Sequence, residues 1–136
     1  MSSSFVIDTY SWVEYLLGSK AGAKARDYIE GGRGLTPSVV LAELRKWYLR
    51  EIEAGQRAER EMNAHFGFVE STTEVVPLDS YLALKAGDID FIMKKRIKNW
   101  PLADPIVYAT AKARAAPVLG VAAVIFAYFH ANFIQT

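Results

Sequence analysis

The run Phe5-Val6-Ile7 sets three apolar residues side by side with no polar alternation, and an acid, Asp8, follows at once. A strand wetted on one face alternates apolar and polar residues. An unbroken apolar run belongs instead to a strand covered on both faces. Helices provide that cover, and helices placed between strands make the strands parallel. The sequence supplies them. Thr9 to Leu17 reads as a helix stopped by Gly18, and residues 19–29 as a second, closed by Gly31 and Gly32.

The same alternation continues. In LTPSVVLAELRKWYLREI, Thr36 is expected to cap a helix that has Pro37 in its first turn and runs to about Glu53. After Gly55, residues 57–66 read as another helix. EVVP, from Glu74, is a short strand, and Asp79 caps a helix through Met93 or Lys95. LADPIVYATAKARA is a further helix, with Asp104 at its cap and Pro105 at its first position. Residues 116–120 read as an inner strand and 131–134 as a last edge strand. The expected class is α/β, a mostly parallel central sheet flanked by helices, in one domain spanning 1–136.

Composition removes several function classes. The net charge of +1 gives no global field toward nucleic acid, so any such attraction must come from local patches. With no cysteine there is no disulfide framework and no thiolate metal site, which suits a reducing cytoplasm. MSSSFVID lacks the basic and long apolar regions of a signal peptide. PVLGVAAVIFAYF, from Pro117 to Phe129, falls short of the ~20 residues a membrane helix needs, so no membrane association is expected.

Asp8 ends a strand, where ligands of open α/β sheets collect. Two other acids could join it. Glu43 lies at the margin of the helical stripe Val40, Leu44, Trp47 and Tyr48; its plainer role is an i+3 pair with Lys46. Asp104 precedes a proline, which alone makes it a helix cap. Asp88 and Asp90 are two apart on a helix, so they diverge and read as a solvated face. His65 and His130 have no second histidine at ligand spacing, and GGRG opens no phosphate-binding helix. Carboxylates without His or Cys favour hard cations, Mg²⁺ or Mn²⁺, and clustered acids repel one another without one.

In order and spacing, V-I-D-T-Y, T-P-S-V-V-L-A-E-L and L-A-D-P-I-V-Y-A-T-A resemble the PIN domain, and more narrowly the VapC toxin ribonucleases. The resemblance implies a PIN-like three-layer sandwich and a Mg²⁺- or Mn²⁺-dependent endoribonuclease. It also implies a cognate antitoxin, and a homodimer is expected besides. Carried over by position, it puts catalytic and metal-ligating roles on Asp8, Glu43 and Asp104, with Thr9 lining the pocket. One departure stands out. Where the family carries a fourth acid, in a stretch like T-G-D, this chain has Val121 or Ala122, and no acid follows Asp104. A second metal is therefore not expected, and a weakened module that binds RNA or antitoxin without efficient cleavage is the alternative.

Basic residues that could steer phosphate are Arg45, Lys46 and Arg50 beyond Glu43, and Lys94, Lys95, Arg96 and Lys98 before Trp100. Tyr10, Trp12, Trp47 and Tyr48 are candidate anchors for a partner, with core packing as their competing role. A phosphatase-type enzyme using Asp8 as nucleophile would want a second acid two residues on, where Tyr10 stands.

Overall fold

The computed structural model describes residues 4–99 and 103–119, with Ala103 and Asp104 by backbone alone. The expected strand at 131–134, Trp100, His130, Val121 and Ala122 lie outside them. Along the chain run β1 (Phe5–Ile7), α1 (Thr9–Leu17), α2 (Lys20–Glu30), β2 (Gly34–Pro37) and α3 (Ser38–Glu53). Then come α4 (Glu59–Thr72), β3 (Glu74–Val76), α5 (Ser80–Lys94), α6 (Ala103–Ala113) and β4 (Val118–Leu119).

All four strands are parallel, in the order β3-β2-β1-β4. This is the expected α/β class. From β1 the chain steps outward to β2 and β3, then returns through α5 and α6 to β4 on the far side of β1. The direction of winding therefore reverses between β1 and β4, and the space beyond their C-terminal ends is where sheets of this kind bind their ligands. Right-handed crossovers place helices on opposite faces for the two directions of winding. Helix α6 packs on β1, β2 and β4 with α5 against it, while α1 packs on α2 and α3.

The capping signals were accurate for α1, α2 and α5. Gly18 takes φ 68°, a left-handed conformation that glycine adopts without cost, and its N–H closes α1. Ser19 caps α2 by accepting from the Gly22 N–H at 3.0 Å, and Asp79 caps α5 by accepting from the Leu82 N–H at 2.9 Å. Gly22 has a second reason to be glycine. A β-carbon there would lie 2.1 Å from the backbone oxygen of Glu14, so no other residue fits the close approach of α1 and α2.

Three expectations fail. Thr36 and Pro37 belong to β2, not to the start of a helix, and all four residues of β2 are buried. Leu35, Thr36 and Pro37 stand in register with Glu74, Val75 and Val76, so pairing on both sides overrides the capping signal. Pro37, lacking an N–H, ends the strand and leads into α3 with no side-chain cap. Helix α4 extends to Thr72, past the expected end near 66, because Phe68 and Val69 continue its packing face. Asp104 lies inside α6 as its second residue instead of preceding it.

The core joins β1 (Phe5, Val6, Ile7) to Trp12, Val40, Leu44, Val69, Met93, Val107 and Tyr108. Through it runs a directed chain of buried hydrogen bonds. Trp12 Nε1 donates to Thr36 Oγ1 at 3.2 Å, and Thr36 and Thr73 hydroxyls meet at 2.7 Å. Thr73 Oγ1 donates to the Val69 carbonyl at 2.8 Å. Each hydroxyl has one proton, so Thr36 must donate to Thr73. The chain ties α1, β2 and the end of α4 together with every donor used.

Candidate functional site

Asp8 follows β1 directly and caps α1, its Oδ1 accepting from the Ser11 N–H at 2.9 Å. It is only 6 % exposed, a carboxylate in a place where burial is costly without partners. The cap answers part of that cost, because α1 turns its unpaired N–H groups and the positive end of its dipole toward the acid.

Glu43 reaches the same place from another element. Helix α3 buries Val40, Leu44 and Tyr48 and leaves Glu43 half-buried at the edge of that face. Its partner is not the i+3 lysine expected from spacing. Thr9 Oγ1, one residue past Asp8, donates to Glu43 Oε1 at 2.5 Å. A contact across 34 residues thus ties the second acid to the residue that follows the first. The backbone of Asp104 lies in the first turn of α6, the helix that packs on β1. Thr9 and Glu43 are therefore brought together, with Asp8 next to Thr9 in the chain.

The donor set is oxygen only, which matches a hard cation. Mg²⁺ commonly uses one or two carboxylates and keeps several waters, so a pair of acids such as Asp8 and Glu43 is compatible in kind with such an ion. Among the described residues no group of three or more His, Cys, Asp or Glu side chains is placed to hold a metal.

The other sequence candidates separate by environment. Trp12 and Tyr48 are fully buried and Trp47 packs on the core, so these three are not exposed anchors; Tyr10 remains on the surface. Asp88 is exposed as expected, but Asp90 is not part of a solvated face. Its side chain is 16 % exposed and pairs with Lys94 at 3.1 Å, because Ile89 and Met93 carry that side of α5 into the core. Lys95 sits over the Phe91 ring, 3.9 Å from its centroid. Arg45 lies over Phe66, while Lys46 and Arg50 are exposed on α3.

Sequence reasoning missed a cavity of about 440 Å³ lined by Tyr15, Leu16, Arg26, Glu30, His65 and Phe68. Tyr15 stacks on Phe68 and donates to Glu30 Oε2 at 2.6 Å. Burial, reinforced by the Glu30 carboxylate, pushes the Tyr15 phenol up to about 12. His65 bonds the Tyr48 hydroxyl through Nδ1. Burial first, and the nearby Arg57 second, hold its imidazole below its usual range. Only the contacts of separate helices create this cavity, so no local motif announces it.

The PIN domain family model matches residues 5–122. Among solved structures the chain resembles one in the crystal structure of DNA-bound VapBC from Salmonella typhimurium. The TM-score is 0.65 at 22 % identity, over 86 % of this chain and 85 % of that one. At that identity the likeness is one of fold. No curated protein matches the sequence. With a match running from the first strand past the last described one, the chain belongs to the PIN domain family.

Proposed function

We propose that this PIN domain, a single unit over 1–136, is a cytoplasmic, metal-dependent endoribonuclease and the toxin of a toxin–antitoxin pair. The observation that carries the reading is the Thr9–Glu43 bond, which ties Glu43 to the residue that follows Asp8 at the C-terminal end of β1, where open α/β sheets place their ligands. Asp8 and Glu43, with Asp104, would hold one Mg²⁺ or Mn²⁺, directly or through water. Bound there, the ion would acidify a water and neutralise charge on the phosphate under attack. Thr9 keeps Glu43 in one orientation, and a carboxylate of the set accepts the proton from the attacking water. Lys46 and Arg50, exposed on the same helix as Glu43, supply positive charge for the RNA backbone.

Two protein partners fit this reading. One is a cognate antitoxin, supported by the likeness to a VapBC chain. The other is a second copy. Tyr81, Leu84 and Phe91 are 59 %, 73 % and 65 % exposed and form one line along α5, more apolar surface than an isolated exposed side chain explains. Leu84→Glu is expected to shift the protein to monomer in light scattering; an unchanged dimer would place the contact elsewhere.

The test of the activity is incubation of antitoxin-free protein with labelled RNA of mixed sequence, in Mg²⁺, Mn²⁺ or EDTA. Internal cuts in either metal and none in EDTA are expected. Cutting that persists in EDTA contradicts a metal-dependent reaction. RNA binding without cutting in any condition favours the weakened module, which the missing fourth acid near Val121 and Ala122 motivates.

A further inference from the structure

Ser11 is a polar residue where the packing asks for an apolar one. It is 5 % exposed and, with Trp12, is one of the two buried residues of α1. A hydroxyl within a helix ordinarily bonds back to the carbonyl one turn earlier. Ser11 does not. Its Oγ donates to the carbonyl of Leu119, the last residue of β4, at 2.9 Å and across 108 positions of sequence. Its main-chain N–H meanwhile donates to Asp8 Oδ1 at 2.9 Å. The same Leu119 carbonyl also accepts from the Asp8 N–H, at a longer 3.4 Å.

These bonds close a small loop between the adjacent C-terminal ends of β1 and β4. One residue holds the Asp8 carboxylate through its backbone and the end of β4 through its side chain. We propose that Ser11 is a positioning residue for the acidic centre, fixing the Asp8 carboxylate relative to the end of β4. The inference rests on the metal-centre reading above. The pairing of Ile7 with Leu119 and the Asp8 N–H contact already hold the backbone of Asp8 to β4. The Ser11 hydroxyl adds the tie from the first turn of α1, so its loss loosens that turn, and with it the carboxylate it orients, against β4. Orientation of ligands by supporting hydrogen bonds commonly sets metal affinity by about 10–100-fold.

The test is calorimetric titration of Mn²⁺ into the wild type, Ser11→Ala and Ser11→Thr, with thermal unfolding of each measured alongside. Alanine is well tolerated in a helix, so Ser11→Ala is expected to fold. Its Mn²⁺ affinity should fall about 10-fold, the low end of that range because the backbone bond to Asp8 survives. Ser11→Thr keeps the hydroxyl and should recover most of the affinity. A Ser11→Ala protein that unfolds at lower temperature yet binds Mn²⁺ like the wild type overturns the proposal, since the hydroxyl would then serve stability alone. A wild type that binds Mn²⁺ but cuts no RNA leaves the role of Ser11 standing and removes only the ribonuclease reading. A wild type that binds no Mn²⁺ removes both.

Discussion

Asp8→Asn is expected to lower metal-dependent RNA cleavage by about 10²–10⁴-fold, the range for losing a group that acts on the proton of the attacking water. Folding should barely change. Asp8 caps α1 through Oδ1, and in the proposed metal centre it also presents charge at the end of β1. Asparagine keeps the cap, because Asn and Asp are nearly equal as N-caps, and removes the charge. Asp8→Ala is the informative contrast. It loses the cap as well and should cost about 0.5–2 kcal/mol of stability in addition to activity. Initial cleavage rates in Mn²⁺ and thermal melts of both variants check this. Wild-type rates in Asp8→Asn would show that the carboxylate serves only the helix.

The largest expected loss of stability is at Trp12. The side chain is fully buried, meets Tyr15 and Phe68 edge to face, and donates to Thr36. Trp12→Ala should cost about 3–5 kcal/mol, as truncation of a large core aromatic does. Against a typical total of about 5–15 kcal/mol, that is enough to leave the domain marginal. Thr36→Val is expected to cost about 1–3 kcal/mol, because it strands the Trp12 N–H in the core. Trp12→Phe removes that donor in advance. The double variant Trp12→Phe/Thr36→Val should therefore be more stable than the sum of the single losses implies. Denaturant unfolding of the four proteins measures the coupling. Strict additivity would mean that the bond contributes nothing.

The legibility of this fold follows the range of the interactions involved. Gly18, Ser19 and Asp79 act on residues within one turn, so the sequence alone placed the ends of α1, α2 and α5 within a residue. The unbroken apolar run of β1 led correctly to parallel neighbours on both sides. Strand β2 was hidden because Thr36-Pro37-Ser38 carries the local signature of a helix start. Only pairing with β1 and β3 reveals it as strand. The candidate site divides in the same way. Asp8 could be recognised by its place after a buried strand, and Glu43 by its place in the resemblance. The Thr9–Glu43 and Ser11–Leu119 bonds could not be read, since each joins elements far apart in sequence.

The most direct test of the central claim is a calorimetric titration of Mn²⁺ into the wild type, Asp8→Asn, Glu43→Gln and Asp104→Asn. One ion per chain is expected for the wild type, with each substitution weakening its binding about 10-fold or more. Unaltered affinity in all three variants would contradict a metal centre built from these acids.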